Sequence, residues 1–202
     1  MESILNKTRV KILTLGNQKV GKTSLINYFV SKKFKYNTQT TVGNSSNLED
    51  RKIDGIDVSI EIHDTAGQER FRSIPSRLIQ SVDGILLIFD ISDDKSFNDI
   101  QVWLKSISDN VSENKMPVLY LIANKVDLID KKYVDLNCAK KLADKQNMKY
   151  FEASAKEGIN VETIFLNMAK DIMKNQEKTN KEYTISLSKP NQRKTKDKNC
   201  DC

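Results

Sequence analysis

At 202 residues the chain has room for one domain of ordinary size and an appendage, with a substantial buried core. Its net charge is +6, but acids and bases are interspersed through most of its length and the surplus lies near the end, which argues against a nucleic-acid-binding face on the domain. No apolar stretch is long enough to span a bilayer, Met1 to Lys7 is too short and polar for a secretory signal, and three cysteines suggest no disulfide framework, so a cytosolic compartment is expected. Apolar runs of strand length alternate with segments of helical period. This predicts an α/β fold of three layers: a six-stranded, mostly parallel sheet with one antiparallel edge strand and helices on both faces.

The first strand is expected over about Thr8–Leu15, and it runs directly into Gly16-Asn17-Gln18-Lys19-Val20-Gly21-Lys22-Thr23-Ser24. That run fits the pattern GxxxxGK[ST], in which a strand ends, a loop turns and a helix begins. Glycines at positions 16 and 21 let the backbone approach a phosphate with no Cβ in the way. Successive backbone N–H groups and the positive end of the following helix then form a concave site for a polyphosphate. Lys22 would reach the outer phosphates as a point charge, and the Thr23 hydroxyl would ligate magnesium. Leu25, Ile26, Phe29 and Val30 give the helix, expected over about Lys22–Lys32, its apolar side.

A polar, aperiodic loop from Phe34 to Asn47 follows, with Thr40, Thr41 and Gly43 in it. Two strands, about Leu48–Ile53 and Val58–His63, are expected to pair across Asp54-Gly55, a dipeptide that favours a tight hairpin turn. The second runs into Asp64-Thr65-Ala66-Gly67-Gln68-Glu69. An acid at a strand's carboxyl end suits a magnesium partner, Gly67 allows close backbone approach to a terminal phosphate, and the Gln68 amide can orient a water in line with phosphorus. The nearly all-apolar run Ile85–Ile91 reads as a strand buried on both faces. A helix over about Ser96–Val111 carries Trp103 as core or boundary packing. A strand over Val118–Ala123 ends in Asn124-Lys125-Val126-Asp127. A helix over about Asp135–Gln146, a strand over Tyr150–Ala153 ending in Ser154-Ala155-Lys156, and a helix over about Val161–Met173 complete the domain, placed at 1–173. Residues 174–202 are rich in lysine and poor in apolar side chains, and a disordered tail is expected there.

GNQKVGKTS, the triplet Thr41-Val42-Gly43, DTAGQERFRS, ANKVDL and ASAK, in this order and spacing, resemble the small GTPases of the Ras superfamily, and Gln68 to Ser73 with the Cys-x-Cys ending resembles the Rab branch. The resemblance covers about Thr8 to Met173. It implies GTP/GDP and Mg2+ as cofactors, with Asp127 accepting hydrogen bonds from guanine N1 and the exocyclic amino group, so that adenine leaves a buried acceptor unpaired. It implies that Asn124 bonds the base and ties loops together, that Lys125 lies along the ring, that the Ala155 backbone in the Ser154-Ala155-Lys156 loop meets the guanine carbonyl, and that Phe34 lies against the base. Thr41 would join Thr23 and Asp64 at magnesium and sense the γ-phosphate. Hydrolysis would rest on Gln68, Lys22 and Thr41, mostly by positioning and charge stabilisation. No arginine is placed to act in cis, so intrinsic turnover should be slow and completed by a GTPase-activating protein. Loss of the γ-phosphate would release the loops around Thr41 and Gly67, an order–disorder switch that partners read.

The implied role is a Rab-type switch in vesicle traffic, with an exchange factor, a GDP-dissociation inhibitor or prenylation escort, and effectors as partners, and a monomer is expected. Cys200 and Cys202 would carry two geranylgeranyl chains, and the tail lysines would add roughly 1 kcal/mol each at an anionic leaflet, placing the protein in the cytosol and on the cytoplasmic face of an intracellular membrane. An adaptor that holds GTP with little hydrolysis is the alternative, opposed by the intact Gln68 and Asp64. Departures from the Rab pattern fall at Asn44-Ser45-Ser46-Asn47, His63 and Leu78, where large side chains usually help to dock effectors, and at Pro75, inside the expected switch helix, so atypical effectors are expected. His63 is read as a surface or packing residue rather than a catalyst. Lys19 either adds charge near the phosphates or points to solvent.

Overall fold

The computed structural model describes residues 7–34, 44–65, 76–111, 116–131 and 133–187. Strand β1 (Thr8–Leu15) leads through the glycine loop into α1 (Lys22–Ser31), and β2 (Asn44–Ile53) pairs with β3 (Ile56–Thr65). Then come α2 (Ser76–Ser81), β4 (Gly84–Asp90), α3 (Asp94–Asn98), α4 (Ile100–Asn110), β5 (Val118–Asn124), α5 (Leu136–Lys145), β6 (Lys149–Ala153) and α6 (Val161–Leu187). The strand order is β2-β3-β1-β4-β5-β6, and only the β2–β3 pair is antiparallel, with β2 at an edge.

The two-residue period of the strands sorts their apolar side chains between the faces. Val10, Ile12, Leu86, Ile88, Tyr120 and Ile122 lie with α1 and α6 in one cluster, where Phe29 and Phe165 stack at 4.5 Å. Their odd-numbered neighbours Leu13, Leu15, Ile85, Leu87 and Phe89 meet α2, α4 and α5 on the other face. Every residue of β4 is buried, as its apolar run requires in a central parallel strand. Among the described residues no helix is long and apolar enough to cross a membrane.

Most strand and helix ends shift by one or two residues from the expectation, and three differences are larger, each with a local reason. Strand β2 begins at Asn44 rather than Leu48, because Asn44, Ser45, Ser46 and Asn47 pair with Thr65, Asp64, His63 and Ile62 although their strand propensity is poor. The single helix expected over 96–111 is two, broken at Asp99, whose N–H still bonds to Lys95 while its carbonyl starts α4. Helix α6 runs on to Leu187 instead of ending at Met173, so residues 174–187, read from sequence as the opening of the disordered tail, are helical. No glycine or proline interrupts the chain between Val161 and Pro190, and Lys, Glu and Gln are good helix formers.

The hairpin turn falls at Asp54-Gly55, both with positive φ (49° and 87°) between the paired Ile53 and Ile56, and Lys170 of α6 donates to Asp54 at 2.9 Å. A Cβ on Gly55 would meet open space, so Gly55→Ala tests backbone conformation alone. We expect a loss of about 1 kcal/mol in urea unfolding, and Gly55→Asn should recover most of it, since Asn tolerates this region.

Candidate functional site

The carboxyl ends of β1, β3, β5 and β6 gather one set of loops, as doubly wound sheets do at their ligand crevice. Between β1 and α1 the loop leaves no room for side chains at two points. A Cβ on Gly16 (φ 143°) would run into the Ile88 carbonyl oxygen, and one on Gly21 (φ 97°) would run into the side-chain amide of Asn124. Lys22 is 5 % exposed and its ammonium donates to the Gly16 and Asn17 carbonyls at 2.9 and 2.8 Å, which folds it back over the loop. Val20 is fully buried, so it meets the site through its backbone, and Ser24 lies half-buried in the first turn of α1. Lys19 adopts left-handed backbone (φ 65°) with an exposed side chain.

Thr23 donates through its hydroxyl to Asp64 at 2.6 Å, and Asp64 is 2 % exposed at the end of β3. The Thr14 hydroxyl approaches the other Asp64 oxygen at 3.4 Å, while Thr65 donates to the Thr14 carbonyl at 2.7 Å, so β3 is pinned to β1 where the carboxylate emerges. A hydroxyl and a buried carboxylate converging beside a glycine-lined loop fit a hard divalent cation held together with phosphate oxygens.

Asn124 joins the two halves of the site. It is fully buried, donates to the Val20 carbonyl at 2.8 Å and accepts from the Ala155 N–H at 3.4 Å, tying the glycine loop to the loop after β6. The Lys125 stem passes within 4.0 Å of the place a Gly21 Cβ would take, and its ammonium is 2.5 Å from Asp90. Asp127 accepts from the Ser154 hydroxyl at 2.5 Å and stands 3.9 Å from the Lys156 ammonium. Ser154 also accepts from the Glu157 N–H and pairs with Ile159, which closes the loop on itself. Phe34 is partly buried against the α1–α6 cluster. His63 stands in β3 with Nε2 3.3 Å from Glu61, a packing position as expected. Thr41, Gly67, Gln68, Cys200 and Cys202 lie outside the described residues.

Several partners escaped the sequence reading. Asn17, expected at the ligand, turns its side chain outward: its amide donates to Asp99 at 2.7 Å and its oxygen accepts from the Trp103 indole N–H at 3.2 Å. Only its backbone faces the loop's hollow, and Trp103 is a strut as well as core. Asp90 holds Lys125, and its signal was an acid ending an otherwise apolar strand. Tyr28 of α1 sits where a Gly158 Cβ would stand, bracing the 154–159 loop.

Fold and site together define a P-loop nucleotide-binding protein of the Ras-like kind. The Ras family model matches residues 11–174. Ras-related protein Rab-8B of Dictyostelium discoideum is 38% identical over 190 residues, 92% of each chain. Ras-related protein RABE1d of Arabidopsis thaliana is 38% identical over 164 residues, 81% of this chain and 75% of its own, and Ras-related protein Rab-13 of Rattus norvegicus is 37% identical over 163, 81% and 79%. The chain belongs to the Ras family, in its Rab branch: a small GTPase that binds GTP, GDP and Mg2+, hydrolyses GTP, and serves as a switch in vesicle traffic.

Removing the Asn124 side chain would leave a buried carbonyl and N–H unpaired. Asn124→Ala is expected to cost about 2 kcal/mol or more of stability in urea unfolding at fixed nucleotide concentration.

Proposed function

We propose that the Gly16–Ser24 loop cradles the phosphates of GTP through its backbone N–H groups, with Lys22 countering charge at the outer phosphates. Thr23 and Asp64, joined by Thr41, would hold Mg2+, which would supply charge neutralisation to the phosphates. Asp127 reads the guanine N1 and amino group, held in register by Ser154. Lys125 and Phe34 flank the base, and the Ala155 N–H, in the loop with Lys156, meets the guanine carbonyl. Gln68 orients the attacking water. The observation that carries this reading is Asn124, which bonds both the phosphate loop and the base loop and so holds the two recognition elements at one spacing.

Hydrolysis by this set needs little covalent work from the chain. Lys22 stabilises charge where it develops, and Gln68 aligns water opposite the leaving oxygen. With no arginine supplied in cis the intrinsic rate is slow, and an activating protein completes the site. An exchange factor, a GDP-dissociation inhibitor or prenylation escort, and effectors are the further partners. Two prenyl chains on Cys200 and Cys202, with the basic residues Lys189, Arg193, Lys194, Lys196 and Lys198, hold the monomer on the cytoplasmic face of an intracellular membrane. The polar residues at 44–47 and His63 select effectors that differ from those of relatives with aromatic side chains there.

Two measurements test the site. In single-turnover assays with magnesium, Gln68→Leu should slow GTP hydrolysis by at least about tenfold while GDP affinity stays within about twofold; an unchanged rate removes Gln68 from its role. Asp127→Asn replaces one acceptor with a donor and should weaken GDP binding by at least about a hundredfold while improving binding of xanthosine diphosphate, whose carbonyl stands where guanine has its amino group. For the anchor, deleting the last three residues should move the protein from the detergent phase to the aqueous phase in extracts of the cells that make it.

A further inference from the structure

At the amino ends of β5 and β6, against the second half of α6, the structure has a cavity of about 510 Å³. This is the size of an ordinary ligand pocket. Strand β5 is seven residues long, so the cavity opens about 20 Å from the strand end that carries Asn124.

The floor and the rim differ in chemistry. On the floor the Tyr120 hydroxyl donates to Asp171 at 2.6 Å, and the Lys149 ammonium lies 2.6 Å from the same oxygen. Burial alone would raise the Asp171 carboxyl, but the bonds from Lys149 and Tyr120 and the charges of Lys149 and Lys174 outweigh it and hold it below its ordinary value. The carboxylate is therefore charged at neutral pH and already matched by Lys149. On the rim Lys174 and Lys178 lie one helical turn apart, both exposed, and neither forms an ion pair with a carboxylate among the described residues. Met116, Pro117, Val118 and Leu119 give the lining its apolar part. Met116, 54 % exposed, leads through Pro117 to the half-buried Val118.

We propose that this cavity docks an acidic peptide segment of a partner protein, one apolar side chain lying against Met116 and Val118 while flanking carboxylates meet Lys174 and Lys178, in either nucleotide state. Charge complementarity selects the partner: the exposed ammonium groups of Lys174 and Lys178, neither within ion-pair distance of a carboxylate among the described residues, attract carboxylates, whereas the Asp171 charge on the floor repels an anion that enters deeply. Methionine suits an adaptable apolar contact. The side-chain amides of Gln146 and Asn147, which also line the cavity, can bond a peptide backbone. Independence from the nucleotide follows from the distance to the strand ends that carry the site, and the docking does not rest on the roles proposed for Gln68 or Asp127.

Fluorescence anisotropy with a labelled synthetic peptide of repeated Glu-Glu-Leu units tests this on the full chain loaded with GDP or with a non-hydrolysable GTP analogue. Equal affinity is expected in both states. The double variant Lys174→Glu with Lys178→Glu, and separately Met116→Asp, should each weaken binding by at least about tenfold, with melting temperature and GDP release unchanged. Because every protein compared keeps the same tail, the differences report the cavity alone. The proposal is overturned if the variants bind the peptide as tightly as the parent, or if a peptide of glutamate alone binds as well as the Glu-Glu-Leu repeat. It is also overturned if the lysine pair proves necessary only for binding vesicles rich in phosphatidylserine while peptide binding is retained, which would make the rim a membrane contact.

Discussion

The structure depends on one close approach: the side-chain amide of Asn124 occupies the space that a Cβ on Gly21 would fill. That contact is possible only because residue 21 has no side chain and adopts positive φ. From there Asn124 reaches the Val20 carbonyl on one side and the Ala155 N–H on the other, in a fully buried position where an unpaired amide would be costly. Three separate segments of the chain thus meet through one side chain, and the spacing between the glycine loop and the loop after β6 follows from its length.

Around that centre the sheet supplies rigidity and the loops supply chemistry. Parallel strands end together, so the residues after β1, β3, β5 and β6 share one crevice although they are far apart in sequence. Secondary contacts then hold each functional group: Thr65 and Thr14 fix the emergence of Asp64, Ser154 orients Asp127, and Asp90 restrains Lys125. On the outer side Asp99 and Trp103 grip Asn17, so the glycine loop is braced against α4 as well as against Asn124. A GTPase switch needs this division, because loops that respond to a γ-phosphate must move against a frame that does not.

The opposite end of the sheet carries different chemistry, and the chain's long last helix connects the two. α6 packs on β1, β4 and β5 through Ile164, Met168 and Ile172, then continues past the core with lysines on its exposed side. Its first half stabilises the domain, while its second half forms a wall of the cavity lined by Tyr120 and Asp171. Burial thus decides where a single helix stops being structural.

Much of the molecule was legible in its residues. Alternation of strand-length and helix-period runs gave the sheet, its single antiparallel edge and both helical layers, because a period of two or of 3.6 is a local property that burial must respect. That the glycine loop, Asp64, Asn124, Asp127 and Ala155 follow strand ends was readable because each apolar strand run is followed directly by its motif in the sequence. What sequence could not show were pairings between distant segments: the strand character of Asn44 to Asn47 came from Ile62 to Thr65, and the outward turn of Asn17 came from Asp99 and Trp103, more than eighty positions away. Local propensity carries no record of such partners. Only packing in three dimensions creates them, and there a polar group takes whichever buried partner lies within hydrogen-bond reach.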